Sequence, residues 1–450
     1  MVPQLKNAAV VNACKLCTPL GAALAFHGIE GAVCLLHGSQ GCSTYIRRYL
    51  ISHFKEPIDI ASSNFSEESA IYGGANNLKT AIMNIVQQYN PVMIGIASTC
   101  LSETIGDDVK RIIRELKKEQ PRLPEIVSVS TASYRGTHVD GFHAVAAALV
   151  KDLAEDGPEL RQLNLMPGMA SPADIRFLHQ VFDSFGVPAV VLPDYSETLD
   201  GGLWHSYTPL PPGGTKLSQI RSTGRSMASI EFGHLLVDEH DSAGAVLASK
   251  FGTPLHSLGL PIGIRATDLF MSVMRELSGG PMPEIYSQDR ARLADSYADG
   301  HKYVFGKRAV IFGEEDLVIA LAAFLQEIGM IPAVVGSGGN SGRMKKVLRQ
   351  ELGDECFDQI SILDDSDFDE IERAASQYEI DIVIGHSKGY KMAKKMGVPH
   401  VRTGFPIHDR FGGQRLRCMG YDGTQRFFDA LVNALLEKAQ NDNPVGYTYL

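Results

Sequence analysis

Three cysteine-bearing segments in the first third of the chain have the residue types needed for metal or thiol chemistry. They run from Cys14 to Cys17, from His37 to Cys42 and from Ser98 to Glu103. Each lies just after an apolar run, among Gly, Ser or Thr residues, as a loop does where it leaves a strand or enters a helix. Thiolates are ligands of zinc and of iron–sulfur clusters. We therefore expect the chemistry in these segments and α/β scaffold downstream of residue 150.

The cysteine count favours ligands or free thiols over disulfides. The chain has 7 cysteines, an odd number, and four of them come before residue 43. Cys14 and Cys17 form a C-x-x-C pair, which is compatible with a redox pair or with half of a zinc site. The absence of a second such pair weakens the zinc interpretation, and the lack of a preceding strand weakens the redox one. Cys34, Cys356 and Cys418 are equally well explained as buried free thiols.

Cys17, Cys42 and Cys100 offer three thiolates on separate loops, which we expect at one edge of one sheet. Simple iron–sulfur clusters are usually held by four cysteines, so this set is one ligand short. Either a partner chain completes the site or the cluster interpretation is wrong. Ser133, on a fourth loop at the same edge, could supply a hydroxyl oxygen, although a helix cap is otherwise the preferred interpretation of this residue.

Composition indicates a globular protein of several domains. The chain has 450 residues, a net charge of -10 and 44% hydrophobic residues, which predicts two to four domains and argues against a general nucleic-acid binder. It contains no apolar run of membrane-spanning length and no visible secretory signal, so no membrane association is expected. No Gly-x4-Gly-Lys-Ser/Thr motif occurs, so ATP hydrolysis by a P-loop is not expected. The Gly-rich segment 336–342 could bind a nucleotide, but a simple turn fits its spacing better.

Alternating strand and helix patterns predict an α/β fold. Apolar strand patterns at 33–36, 92–97 and 126–130 each lead into a loop, and a helix-compatible segment spans 21–33, with Gly28 and Gly31 as its end signals. This alternation predicts parallel sheets with functional loops at the strand ends. A charged Gly/Pro-containing stretch at 155–160 and a new strand at 308 predict three domains, 1–155, 156–300 and 301–450.

Eight segments in order along nearly the whole chain resemble the β-type subunits of the nitrogenase component 1 family. The segments are CTPLGA at 17–22, HGSQGC at 37–42, HFKEP at 53–57, GG at 73–74 with NLK at 77–79, TCLSETIG at 99–106, SYRGTHVDG at 133–141, GFPIHDR at 404–410 and GYDG at 420–423.

The resemblance implies three Rossmann-like domains with mainly parallel sheets flanked by helices, in an α2β2 heterotetramer with a homologous α-type subunit. It implies an iron–sulfur cluster at the αβ interface, with Cys17, Cys42 and Cys100 as ligands and Ser133 as a ligand on oxidation. An 8Fe–7S cluster of the P-cluster type would receive electrons from a separate ATP-dependent iron protein. The family holds its active-site cofactor in the α subunit, so no catalytic residue is assigned here. Oxygen-sensitive clusters imply an oxygen-protected cytoplasm.

Within the family, two roles stay open. The short N-terminus and the segment 43–48 resemble NifN-type scaffold subunits, which help to mature the nitrogenase iron–molybdenum cofactor and can carry a smaller, 4Fe–4S cluster. The complete cysteine set instead fits an electron relay, as in nitrogenase-like reductases such as methylthio-alkane reductase. A nucleotide-dependent Rossmann enzyme would explain the fold but would leave the three cysteine loops without a role.

Overall fold

The computed structural model describes residues 13–236 and 241–445 and contains three sheets in which every strand pairing is parallel. Helices cover the sheets, so the predicted α/β class with parallel sheets flanked by helices is confirmed. None of the described helices is both long and apolar enough to cross a membrane.

The first unit carries the three cysteine loops. Its elements are α1 Thr18–His27, β1 Ala32–His37, α2 Gln40–Phe54, β2 Ile60–Ser62, α3 Glu67–Tyr72, α4 Ala75–Tyr89, β3 Met93–Ser98, α5 Cys100–Ile105, α6 Val109–Glu119, β4 Glu125–Val129 and α7 His138–Leu153. The strands lie in the order β2–β1–β3–β4. Strands β1 and β3 are buried along their whole length, because helices cover both faces of this part of the sheet.

The second unit repeats the arrangement. Its elements are β5 Leu160–Met166, α8 Pro172–Phe185, β6 Ala189–Val191, α9 Leu217–Ser222, β7 Ser226–Phe232, α10 Ala243–Phe251, β8 Leu255–Leu258, α11 Ile264–Ser278 and α12 Glu284–Val304. The strand order is β6–β5–β7–β8.

The third unit has the largest sheet. Its elements are β9 Arg308–Gly313, α13 Glu315–Glu327, β10 Ile331–Ser337, α14 Met344–Phe357, β11 Ser361–Leu363, α15 Phe368–Ala375, β12 Ile382–Gly385, α16 Tyr390–Met396, β13 His400–Arg402 and α17 Gly420–Asp442. The strand order is β11–β10–β9–β12–β13. The predicted domain boundaries remain predictions: 155/156 falls between α7 and β5, and 300/301 falls inside α12.

The helix expected within 21–33 begins earlier than predicted. It starts at Thr18, because Pro19 fits the first helical turn, where its missing N–H needs no partner. It ends at Gly28, as predicted, and Gly31 at φ +63° then turns the chain into β1. The strand pattern expected from residue 33 therefore begins at Ala32.

Helices α1 and α7 approach each other closely through glycines. A Cβ atom at Gly21 would lie 1.6 Å from the carbonyl oxygen of His138, and one at Gly141 would lie 2.0 Å from that of Thr18. Only glycine allows this approach without moving the backbone. The contact fixes the start of α1, where Cys17 lies, against the start of α7, which follows the loop of Ser133.

We predict that acid weakens the fold through buried His27. Burial lowers the pKa of this histidine to about 4, and its Nε2 has no hydrogen-bond partner. In the unfolded chain this histidine has a pKa of about 6.5, so it binds a proton at a higher pH than it does in the folded chain. The free energy of unfolding therefore falls as the pH drops from 6.5 towards 4. At pH 5, His27 should lower the free energy of unfolding by about 2 kcal/mol.

The measurement is the difference between the melting temperatures at pH 7.5 and pH 5. His27→Leu should make this difference smaller than in the wild type, whereas His205→Leu, at an exposed loop position, should not. Equal differences in all three proteins would show that His27 does not contribute to acid sensitivity.

Candidate functional site

The three predicted cysteines come together at the carboxyl edge of the first sheet. Cys42 lies in the first turn of α2, after β1, and Cys100 begins α5, after β3. Strand β1 leads to β2 on one side and pairs with β3 on the other, so the loops after β1 and β3 flank a topological switch point. Cys17 is the N-cap residue of α1, which runs directly into β1 and therefore begins near the same edge. Crevices of this kind are where open α/β sheets bind their ligands.

The thiols are close enough to influence one another. Burial raises the pKa of Cys17 to about 11, and the neighbouring thiols of Cys42 and Cys100 each raise it further. The three differ in access, since Cys17 and Cys42 are half-buried and Cys100 is exposed. A cationic metal centre would replace the thiol protons and stabilise the thiolates that burial disfavours.

The donor set fits a group larger than a single ion. Within residues 13–236 and 241–445, no three His, Cys, Asp or Glu side chains are arranged to hold one metal ion. A multi-iron cluster places its thiolate ligands on different irons, which suits sulfur atoms supplied by three separate loops. The exposed Cys100 leaves one side of the group open.

Ser133 lies beside Cys100, as expected for a fourth loop at this edge. Its backbone N–H donates a hydrogen bond to Cys100 Sγ at 3.2 Å. The helix-cap interpretation of Ser133 is wrong, because Thr137 is the N-cap residue of α7. Whether the hydroxyl of Ser133 binds a metal remains a prediction.

Exposed apolar side chains surround the cysteines. Tyr45, Leu101 and Tyr134, which follow Cys42, Cys100 and Ser133 in sequence, are 45%, 37% and 60% exposed. Ile71 and Tyr72, at the end of α3, are also exposed, and α3 packs against α5. Grouped exposed apolar residues are typical of a surface that another protein covers.

A buried network that the sequence did not reveal holds the cysteine loops in place. His37 Nδ1 lies 3.0 Å from Ser63 Oγ, and its Nε2 lies 3.1 Å from Asp107 Oδ2. Asp107 Oδ2 also accepts the backbone N–H of Gly74 at 2.9 Å. The network joins the loop after β1 to the end of β2, the α3–α4 turn and the α5–α6 turn, and it thereby fixes the segments that carry Cys42 and Cys100.

The remaining cysteines do not belong to this site. Cys14 packs in the core of the third unit, with Phe312 among its neighbours, and burial raises its pKa to about 12. The C-x-x-C pair is thus divided between two units, which removes both the zinc and the redox interpretation. Cys34 and Cys418 are buried and Cys356 is half-buried, and all seven cysteines are free thiols.

The Gly-rich segment 336–342 connects β10 to α14, but a carboxylate of the protein already binds it. Glu315 Oε1 accepts hydrogen bonds from the backbone N–H of Ser341 at 3.3 Å and from its hydroxyl at 2.8 Å. A phosphate group would need such donors. The turn interpretation is therefore favoured over a nucleotide site.

Comparison with known proteins is consistent with this geometry. The sequence model described as nitrogenase component 1 type oxidoreductase matches residues 17–436. The chain belongs to the nitrogenase component 1 family. This membership confirms the resemblance that the sequence motifs indicated, and it places the cysteine edge in a family of oxidoreductases.

Relatives in the family are of two kinds. The chain is 33% identical over 441 residues to the nitrogenase molybdenum-iron protein beta chain of Clostridium pasteurianum, covering 97% of this chain and 95% of the relative. It is 36% identical over 443 residues to the nitrogenase iron-molybdenum cofactor biosynthesis protein NifN of Rhodobacter capsulatus, covering 96% and 92%. The solved structure of nitrogenase Cp1 at pH 6.5 superposes with a TM-score of 0.95 at 32% identity, covering 99% and 98%. The chain is therefore a β-type or NifN-like member.

We predict that His37→Phe destabilises the first unit. The change removes the two hydrogen bonds of His37, to Ser63 and to Asp107, and each such bond contributes about 0.5–1.5 kcal/mol to stability. The apparent melting temperature should fall, while the same change at exposed His205 should leave it unaltered. A melting temperature equal to that of the wild type would mean that the network does not support the loops.

Proposed function

We propose that this chain is the β-type subunit of a nitrogenase-like component 1 complex. It binds an iron–sulfur cluster at the interface with a homologous α subunit, in an α2β2 heterotetramer in the cytoplasm. It relays electrons from an ATP-dependent iron protein to a cofactor in the α subunit, where substrate is reduced. The observation that carries the proposal is the meeting of Cys17, Cys42 and Cys100 at one partly open edge of the first sheet.

Each site residue has a defined task in this proposal. The thiolates of Cys17, Cys42 and Cys100 hold the cluster, and Ser133 positions Cys100 through its backbone N–H. The hydroxyl of Ser133 would become an oxygen ligand on oxidation. When bound, a cluster of the 8Fe–7S P-cluster type would accept and release electrons one after another. The His37–Ser63–Asp107 network holds the loops that carry Cys42 and Cys100 in place.

The incomplete ligand set of the site supports a partner chain. Three cysteines are fewer than the four that a simple cluster uses, and Cys100 faces outward. The exposed side chains of Tyr45, Leu101 and Tyr134 around the site give a partner chain an apolar surface to cover. A homologous α subunit that adds its own thiolates would complete the ligand set and exclude water from the cluster.

The second candidate function is that of a NifN-type scaffold for iron–molybdenum cofactor biosynthesis. The observation that favours it is the 36% identity to the Rhodobacter capsulatus NifN protein over 96% of the chain. In this role the same three cysteines would hold a 4Fe–4S cluster with the partner, and the complex would pass on a cofactor precursor instead of reducing a substrate.

We predict that Cys42→Ala lowers the iron content of the complex with its α partner, purified without oxygen. Loss of one of the three thiolates leaves a cluster iron without its protein ligand. Iron is counted per complex, together with the electron paramagnetic resonance signal. Cys356→Ala is the matched control, because it removes a half-buried thiol from α14, in the third unit. Iron content and activity that are unchanged in Cys42→Ala would refute the ligand assignment.

A further inference from the structure

A cavity that is lined by none of the proposed cluster ligands lies where the three units meet. It has a volume of about 410 Å³ and is lined by the start of α7, the loop after β9 and the loop after β10. The proposed electron relay makes no use of it. Its size is in the range of pockets that bind small molecules.

Three titratable groups that line this cavity have no hydrogen-bond partner among the described residues. They are the carboxyl of Glu314 and the imidazoles of His138 and His143. His138 is only 6% exposed, and its Nδ1 is buried without a partner. Buried polar groups are almost always hydrogen-bonded, so His138 Nδ1 is an exception that needs an explanation, while Glu314 and His143 are half-buried. A bound ligand that supplies hydrogen-bond donors would provide one.

The protonation states of these groups favour a ligand rich in donors. Burial lowers the pKa of His138 and of His143 to about 4, so both rings are neutral at physiological pH and each has a nitrogen that accepts a hydrogen bond. Burial and the adjacent carboxylates of Asp316 and Glu315 raise the pKa of Glu314 to about 8. A cation beside Glu314 would relieve this repulsion.

Two further carboxylates, those of Asp140 and Glu315, line both this cavity and a neighbouring recess that Ser133 also lines. Asp140 Oδ2 accepts from Thr137, and Glu315 Oε1 accepts from Ser341, which leaves the second oxygen of each without a hydrogen bond among the described residues. Two cations line the cavity as well: Lys15 pairs with Asp365 at 2.8 Å, and the charge of Arg343 acts on Asp316. Five carboxyl groups line the cavity, so the acidic groups outnumber the cations. An anionic ligand is disfavoured here.

We infer that the cavity binds a small linear diammonium compound. One ammonium group lies between the Glu314 carboxyl and the His138 and His143 rings, and the other lies by the free oxygens of Asp140 and Glu315. An ammonium group has three donors and suits acceptors that have no other partner. This inference does not depend on the cluster assignment, because none of these residues is a proposed cluster ligand.

The test is calorimetric titration of the α–β complex with 1,4-diaminobutane at pH 8, with 1,4-butanediol as the neutral compound of matched length. The diamine should bind and the diol should not. Glu314→Gln should weaken diamine binding at least about tenfold, which is about 1.4 kcal/mol. Glu379→Gln, the same change at an exposed position in the third unit, should leave binding unchanged. The absence of diamine binding, equal binding of the diol, or equal affinity in Glu314→Gln would overturn the inference.

A second variant tests whether the diamine enters the cavity, without changing any charge. Ala144→Phe fills part of the cavity without removing any carboxylate and should also abolish diamine binding. If Ala144→Phe binds the diamine as the wild type does, the ligand does not enter this cavity. Iron content should stay at the wild-type level in both variants, so failure of this inference is distinct from failure of the cluster assignment.

Discussion

The parallel pairing of β1 with β3 is the constraint on which the cysteine site depends. Their register places His37, the last residue of β1, opposite Ser98, the last residue of β3, so both strands end at the same level. The loops that follow leave side by side, and the thiols of Cys42 and Cys100 lie close enough to Cys17 to raise its pKa. A slip of one residue would turn each side chain of a strand to the opposite face and separate these loops.

Two further contacts convert this pairing into a fixed site. The hydrogen bonds of His37 to Ser63 and Asp107 tie the loop after β1 to three neighbouring turns. The close approach of α1 and α7 through Gly21 and Gly141 places the start of each helix against the other. The outer side of the site is left uncovered, because Cys100 and the apolar side chains near it are exposed. An incomplete ligand set beside an apolar surface is what a shared interface site requires.

Local sequence patterns predicted the elements whose formation depends on residues that are neighbours in the chain. Apolar strand runs ending in cysteine-bearing loops predicted the sheet edge. The contacts that the sequence did not reveal join distant residues. His37 and Asp107 are 70 positions apart, and Cys14 reaches His386 in the third unit, at an Sγ–Nε2 distance of 3.9 Å. In the sequence, Glu314 has no feature that distinguishes it from other residues before a helix. It lines a cavity only because the three units pack together.

The most direct test of the cluster assignment is an iron count with electron paramagnetic resonance on the complex, purified with its α partner in the absence of oxygen. The proposed relay predicts about eight irons per αβ interface, with no signal when reduced and a signal after oxidation. About four irons with a signal in the reduced state would instead identify a scaffold. A complex without iron at the interface would contradict the assignment of Cys17, Cys42 and Cys100 as ligands.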